Sequence, residues 1–538
     1  MVLSESDKIY SIDDLRLAMA RVRRDHSTRR VFVTNPVEEL IVTECESEWL
    51  ARLLSAVQAD TYQPSAASIC DVPKGNGGVR PAVLLTLADQ VIYSLCVGKM
   101  FKSISNALAW EKLSRDCSYQ LNEIGGTSWL QNRFVCWDQF RTRSLSALDV
   151  GSPYMVTADI AGYYDNIQIE ILVSELRACG CESPFVDLLT RCLSRWTMVN
   201  GRGIPQGLSA SDVLAKLYLN TVDKALAQAG YTHLRYVDDF RVFCATRAEA
   251  KRMLLELSGV LRRRGLALQS AKTRTLLSSE ARTKVEGAVP TLRPLMKGYV
   301  AEIAALAGID PEYLTQADAE TFLAENDVEP PTELLRHAYD AHVINGEHGF
   351  SKTVFHYLLA RLGRARDDFA FDHSISLLRE HPEESAPVLE YAGLVREAHG
   401  AEPALVELLA SDDAVYPYQH YMVLRWRFYF AGPPTDEFLA YVRKISRSDR
   451  SPMYLQSAAR MLLARFGSEA DLEAIESSYP TAPSELAKAE VLCALHRMEK
   501  GRRNAVLGKS KSDGFLVSNA VKLVKEGRLR ELFTHDAA

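Results

Sequence analysis

The sequence lacks any apolar run long enough to cross a bilayer, which excludes a helical membrane anchor within it. Its opening residues, Met1-Val2-Leu3-Ser4-Glu5-Ser6-Asp7, have neither the basic start nor the apolar core of a secretion signal, so a cytoplasmic protein with no membrane partner is expected. Cysteines number ten in 538 residues and are scattered. The closest pair, Cys179-Gly180-Cys181, has no second pair to complete a zinc site, and reduced, mostly buried thiols are expected. Excess positive charge is also missing. A net charge of −6 excludes a chain coated in basic residues for bulk nucleic-acid binding, leaving only local clusters to meet phosphate. Two such clusters stand out: Arg21, Arg23, Arg24, Arg29 and Arg30, and then Lys251, Arg252, Arg262, Arg263, Arg264, Lys272 and Arg274.

What is present is enough for about two to four domains. Apolar spacing predicts helices over residues 12–25 and 46–60. Residues 69–81 read as strand, glycine-rich turn and strand, with Lys74 and Arg80 flanking the turn. A long apolar helix is predicted over 84–110, followed by a poorly patterned region. Tyr154-Met155-Val156-Thr157-Ala158 then reads as a buried strand running into Asp159. Helices are expected near 168–179 and 184–195. The Gly/Pro-punctuated loop Asn200 to Gly207 opens a helix from Ser209 to about Ala229. A further amphipathic helix is read from about Arg247 to Arg264. Beyond about residue 290 strand signals fade into successive helices, starting near Thr332, Asp367, Glu402, Asp436, Glu469 and Arg502. A spacing of roughly 34 residues suits a solenoid of helical pairs. The expected layout is an N-terminal helical extension over 1–64, a central α+β domain over 65–290 and an α-helical repeat domain over 291–538.

The stretch that organises the rest is Arg235-Tyr236-Val237-Asp238-Asp239-Phe240-Arg241-Val242-Phe243. β-branched and aromatic residues on both sides of a paired-acid tip read as a β-hairpin. Adjacent carboxylates repel and raise each other's pKa unless a cation neutralises them. Hard oxygen ligands favour Mg²⁺ or Mn²⁺ in that role. If the strands share one sheet, Asp159 joins Asp238 and Asp239, and three converging carboxylates suit a two-ion site for phosphoryl transfer. The other parts of a nucleotidyl-transfer site have candidates in chain order. Lys74 and Arg80 are placed to clamp β/γ phosphates. Tyr164, five after Asp159, suits a place under the sugar. Gln206-Gly207 offers a polar side chain with close backbone approach, and Lys272 a proton donor to departing pyrophosphate. Each also admits a plain structural role as hairpin decoration, core, helix start or surface. Their joint occurrence in this order carries the reading.

In those residues the chain resembles reverse transcriptases. Thr157 to Ile167 looks like the first catalytic palm motif, Ile204-Pro205-Gln206-Gly207-Leu208-Ser209 like the template- and nucleotide-contacting motif, and Tyr236-Val237-Asp238-Asp239 like the metal-binding hairpin. Gly265 to Thr273 matches the later lysine motif, and Val72-Pro73-Lys74 through Arg80-Pro81 the fingers motif. The resemblance covers roughly residues 65–280. It implies an α+β right-hand polymerase palm and fingers, followed here by an all-α, HEAT-like C-terminal domain in place of a thumb. It also implies two Mg²⁺ (or Mn²⁺) ions held by Asp159 and Asp238, the Ile160 carbonyl assisting and Asp239 beside them. Tyr164 would then be the steric gate that favours deoxynucleotides.

The Asn-Ala-x-x-His and Val-Thr-Gly signatures of retron enzymes are absent, as is a Phe-Leu-Gly primer grip after Thr273. A helical-repeat tail is similar to the abortive-infection and related defence-associated bacterial reverse transcriptases. That resemblance implies antiphage defence, dNTP substrates, homo-oligomers, and either template-independent, protein-primed DNA synthesis or copying of a partner noncoding RNA. Tyr416, Tyr418, Tyr421 and Tyr429 are the tail tyrosines considered as primers. Retained alternatives are a retron-like or mobile-element enzyme and a catalytically silent nucleic-acid-binding scaffold.

Overall fold

The computed structural model describes residues 9–28, 32–75, 77–110, 114–122, 125–326, 328, 331–346, 349–396, 398–430 and 432–529. Arg29 and Arg30 lie outside them. Six strands are described: β1 (Ser68–Pro73), β2 (Val79–Leu84), β3 (Tyr154–Asp159), β4 (Thr232–Tyr236), β5 (Asp239–Cys244) and β6 (Arg274–Leu277). β1 and β2 pair as a hairpin, and the others form one antiparallel sheet in the order β4-β5-β3-β6. The chain divides into two compact units. One comprises Met1–Thr34, Glu46–Ile69 and Ala82–Gly287, and the other Asn35–Cys45, Cys70–Pro81 and Ala288–Ala538.

In the first unit the four-stranded sheet is covered on both faces, which is why β3 reads as a continuous apolar run instead of an alternation. Met155, Leu234 and Phe243 form one core with Phe140 and Leu148 of the helix Arg133–Asp149 and with Ala281 and Val285 of the helix Ser278–Glu286. Val156, Ala158, Phe240 and Val242 are buried on the alternate strand positions. The helices Ser209–Gln228 and Arg247–Arg263 also pack against strands of this sheet. The helix Leu87–Leu108 is apolar around most of its circumference because three helices surround it: Ile12–Ser27, Ser183–Trp196 and Ser209–Gln228.

Three of the elements not legible in the sequence have a physical reason for it. The helix Arg133–Asp149 falls in the poorly patterned region because Phe134, Val135 and Trp137 in its first turns are exposed, which breaks the apolar period. The nine-residue helix Pro36–Glu44 and the four-residue β6 are too short to show a period. Two cations of the expected phosphate-binding clusters are also corrected. Arg21 is buried with its guanidinium 4.4 Å from the Trp129 ring centre, and burial lowers its pKa to about 10. Arg264 is buried against Tyr218 and paired with Glu175 at 2.8 Å. Neither faces solvent phosphate. All ten cysteines are free thiols, eight of them buried.

The second unit is helical apart from the hairpin residues. Helices Lys352–Arg364, Ser385–Val395, Pro417–Phe428, Met453–Phe466, Glu485–Ala494 and Phe515–Glu526 form one row, each packed on the next. Phe371–Leu377, Ala398–Ala410 and Asp436–Ser446 pack similarly in a second row. Ion pairs link separate segments of the stack: Arg336–Asp367 at 2.6 Å, Arg427–Glu402 at 2.5 Å, Arg443–Asp471 at 2.9 Å and Arg460–Glu490 at 2.9 Å. The helix Pro36–Glu44, from the other end of the sequence, packs on the last two helices of the first row. Asn35 donates to Glu490 there at 2.5 Å, and Arg528 pairs with Glu44. No described helix is long and apolar enough to cross a membrane.

Candidate active site

β4 and β5 are joined by a two-residue turn, Val237-Asp238, closed by the pair Tyr236 and Asp239. Val237 adopts φ +57°, a conformation that a β-branched residue avoids and that carries about 1–3 kcal/mol of strain. The turn is held from below. Arg235 is 1% exposed and donates from Nη1 to the Val237 carbonyl at 2.7 Å. Its guanidinium is fixed by Asp223 through a two-pronged contact, at 3.0 and 2.5 Å, and by Asp116 at 3.0 Å. Lys216 completes the network with a 2.6 Å bond to Asp116. Two cations and two anions thus balance in the interior. Burial works against the Arg235 charge, yet Asp116 and Asp223 hold its pKa above the ordinary value. Burial likewise penalises the Asp223 carboxylate, but Arg235 and His233 pull its pKa below the carboxylate range.

This turn places the acids. Asp159, the last residue of β3, stands directly opposite Asp239, the first of β5. Opposed residues in an antiparallel pair have Cα atoms about 4.5–5.5 Å apart and point to the same face. Asp238 is tied in through its backbone, whose carbonyl accepts from the Ile160 amide at 3.3 Å. Beyond β3, Gln269 donates its amide to the Asp159 carbonyl at 2.7 Å, which brings the loop before β6 alongside. Lys272, on that loop, pairs with Asp159 Oδ2 at 2.9 Å. Burial, reinforced by the charges of Asp159 and Asp238, pushes the Asp239 carboxyl up to about 6, against the pull of Arg241 and Lys284.

The backbones of the three acids therefore meet, as the hairpin reading expects. Among the described residues, however, no three or more His, Cys, Asp or Glu side chains form a group that could hold a metal ion. One oxygen of Asp159 is engaged by the Lys272 ammonium. The donor chemistry still fits a hard divalent ion. Two opposed carboxylates with a third beside them are hard oxygen donors, and burial, followed by the charges of Asp159 and Asp238, raises the pKa of Asp239.

Around the acids, Tyr164 donates to Asp212 Oδ1 at 2.6 Å, and burial followed by the Asp212 charge keeps its phenol protonated. Gln206 donates from Nε2 to Asp165 Oδ1 at 3.0 Å. Gly207, at φ +92°, turns the chain from that loop into the helix Ser209–Gln228, a conformation that favours glycine. Lys74 and Arg80 lie on the β1–β2 hairpin in residues 70–81, which belong to the second unit. Three residues that bear on the acids escaped the sequence reading. Arg241 was legible in principle, two along β5 from Asp239 and on the same face. Lys284, which donates to Thr157 Oγ1 at 3.0 Å, and Asp212 arrive through tertiary folding alone.

Residues 72–309 match the family model described as "Reverse transcriptase (RNA-dependent DNA polymerase)". The chain carries a reverse transcriptase domain. Protein YkfC of Escherichia coli K12 is 25% identical to this chain over 185 residues, which are 33% of this chain and 43% of that protein's own length. Telomerase from Candida tropicalis, solved with a fragment of telomeric RNA, is 13% identical over 72% of this chain and 67% of its own, with a TM-score of 0.33. The telomerase of Candida albicans, in a similar complex, is 11% identical over 71% of this chain and 70% of its own, with a TM-score of 0.31. In this reverse transcriptase domain the acidic hairpin, Asp159 and Lys272 all lie within the matched residues.

Proposed function

We propose that the protein is an RNA-directed DNA polymerase that adds deoxynucleotides to a 3′ hydroxyl. The observation that carries this is the register of the sheet, with Asp159 opposite Asp239 and Asp238 next to it in the strained turn that joins β4 to β5. Asp159 and Asp238, with Asp239 beside them and the Ile160 carbonyl, would hold the divalent ions. Bound there, two such ions lower the pKa of the attacking hydroxyl and offset charge on the leaving oxygen. Lys272, now paired with Asp159, would exchange that contact for the departing pyrophosphate and donate a proton to it. Tyr164, fixed by Asp212, is the surface against which a ribose 2′-hydroxyl would collide. Lys74 and Arg80 are proposed to meet the triphosphate.

The finer reading is antiphage defence by a cytoplasmic homo-oligomer. It is supported by the order of motifs followed by a helical unit whose row-by-row packing suits a HEAT-like stack. Template-independent, protein-primed synthesis belongs to that reading, with copying of a partner RNA as its rival mode. Of the tail tyrosines, Tyr421 is 3% exposed and is unsuited to attack without rearrangement. Tyr429 is exposed, and Tyr416 donates to the Gly77 carbonyl in the hairpin turn at 3.1 Å.

The test is incorporation of labelled dNTPs with Mg²⁺ or Mn²⁺, on a primed RNA template and without added nucleic acid. Asp159→Asn and Asp238→Asn should each lower incorporation by about 10²-fold or more while leaving the circular-dichroism spectrum unchanged. Label that stays with the denatured protein supports protein priming, and label found only in extended primer supports templated copying. Full incorporation by either variant would overturn the assignment.

A further inference from the structure

The helix Arg133–Asp149 begins with side chains that no part of the core covers. Phe134 is 70% exposed, Val135 51% and Trp137 44%. Their position is fixed, not incidental. Asn132 caps the helix by accepting from the Phe134 amide at 2.8 Å. Trp137 packs edge-on against Tyr236, with ring centres 5.0 Å apart at 87°, and the Tyr236 hydroxyl donates to the Arg133 carbonyl at 3.3 Å. Tyr236 is two residues before Asp238 and pairs with Asp239 across the turn. On its other side Tyr236 meets Tyr119 at 6.2 Å. Aromatic side chains thus run from Tyr119 through Tyr236 to Trp137 beside the acidic turn, with Phe134 three positions before Trp137 on the helix.

Cations accompany the row. The Arg133 guanidinium lies 5.0 Å from the Phe134 ring centre, and Arg241 lies 3.9 Å from Phe140 and 5.7 Å from Trp137. We propose that Phe134 and Trp137 form a stacking platform for the bases of single-stranded nucleic acid leading to the acidic hairpin, with Arg133 facing its phosphates. The occupant follows from charge complementarity and continuity with the hairpin. Planar rings interleaved with arginine match a strand whose bases present π-faces and whose backbone is anionic. This rests on the polymerase reading, because such a strand must end at the acids.

The experiment measures binding without metal or dNTPs, so it is separate from catalysis. Full-length protein is titrated against labelled oligothymidylate by fluorescence anisotropy. Each stacked base contributes about 1–3 kcal/mol, so Phe134→Ala should weaken binding about 5- to 150-fold, whereas Phe134→Tyr should stay within about twofold of wild type. Of the six tryptophans only Trp137 is exposed. Oligonucleotide should therefore quench intrinsic emission in wild type, and Trp137→Phe should bind while losing the quench. Unchanged affinity in Phe134→Ala, or no binding by wild type, overturns the platform. So does a drop in sedimentation coefficient on Phe134→Ala, which would make this face a contact between copies of the chain. An active polymerase with an unchanged Phe134→Ala affinity sinks the platform alone. A protein that binds and quenches but never incorporates dNTPs sinks the polymerase reading alone.

Discussion

Asp239→Asn should make the protein more stable and less active at once. The Asp239 carboxyl sits at about 6 because of burial and of two neighbouring acids. An unfolded aspartate titrates near 3.9, so the difference is worth roughly 3 kcal/mol, at about 1.36 kcal/mol for each tenfold change in acidity. The sign follows from proton counting. Between about pH 4 and 6 the folded state binds more protons than the unfolded one, so this group's effect is a loss of stability as pH rises through that window. Above about pH 6 the charged carboxylate burdens the fold in full, and below about pH 4 it does not burden it at all. Asparagine keeps the size and removes the charge. Its gain should be near zero at about pH 4 and reach about 1–3 kcal/mol at about pH 8, less than the full shift because the amide must also be desolvated. The assay is urea denaturation of wild type and variant in EDTA at about pH 4, 6 and 8. Adding Mg²⁺ should stabilise wild type and narrow the gap. A gap that does not change with pH, or a variant less stable than wild type at about pH 8, would refute the electrostatic account of the site.

Arg235→Met should destabilise the protein by about 3–5 kcal/mol, because it leaves Asp223 and Asp116 short of a buried cation. Arg235→Lys should rescue only partly, since an ammonium cannot reproduce the two-pronged contact with Asp223. Urea midpoints that match wild type in Arg235→Met would count against this network as the support of the turn. Tyr164→Ala should reduce the preference for deoxynucleotides over ribonucleotides about tenfold or more, while Tyr164→Phe preserves it. Incorporation assays with paired dNTP and rNTP substrates check this, and an unaltered ratio in Tyr164→Ala would remove Tyr164 from the sugar site.

The strands that carry the acids were legible because their chemistry is local. β3 is a short apolar run with β-branched residues, and β4 and β5 flank an acidic tip, so strand, turn and acid announce themselves within a few residues. The cations could not be sorted the same way. Arg235, Arg241, Arg264 and Arg21 look alike in sequence, yet all four are buried, each beside a different partner or ring. A guanidinium's environment is a tertiary property. The helix Arg133–Asp149 failed for the opposite reason: apolar residues are normally read as core, and three of its own face solvent. The apolar pattern misreports wherever burial has been given up, and here that place adjoins the acids.

The helix Pro36–Glu44 closes the far end of the C-terminal stack, and the bond from Asn35 to Glu490 spans 455 positions. A ribosome makes this closing piece some 455 positions before its seat. During synthesis the piece waits without its partner. Contacts of such long range are slow to form and leave sticky surface open meanwhile. A fragment beginning at residue 288 would therefore lack part of its own folded body.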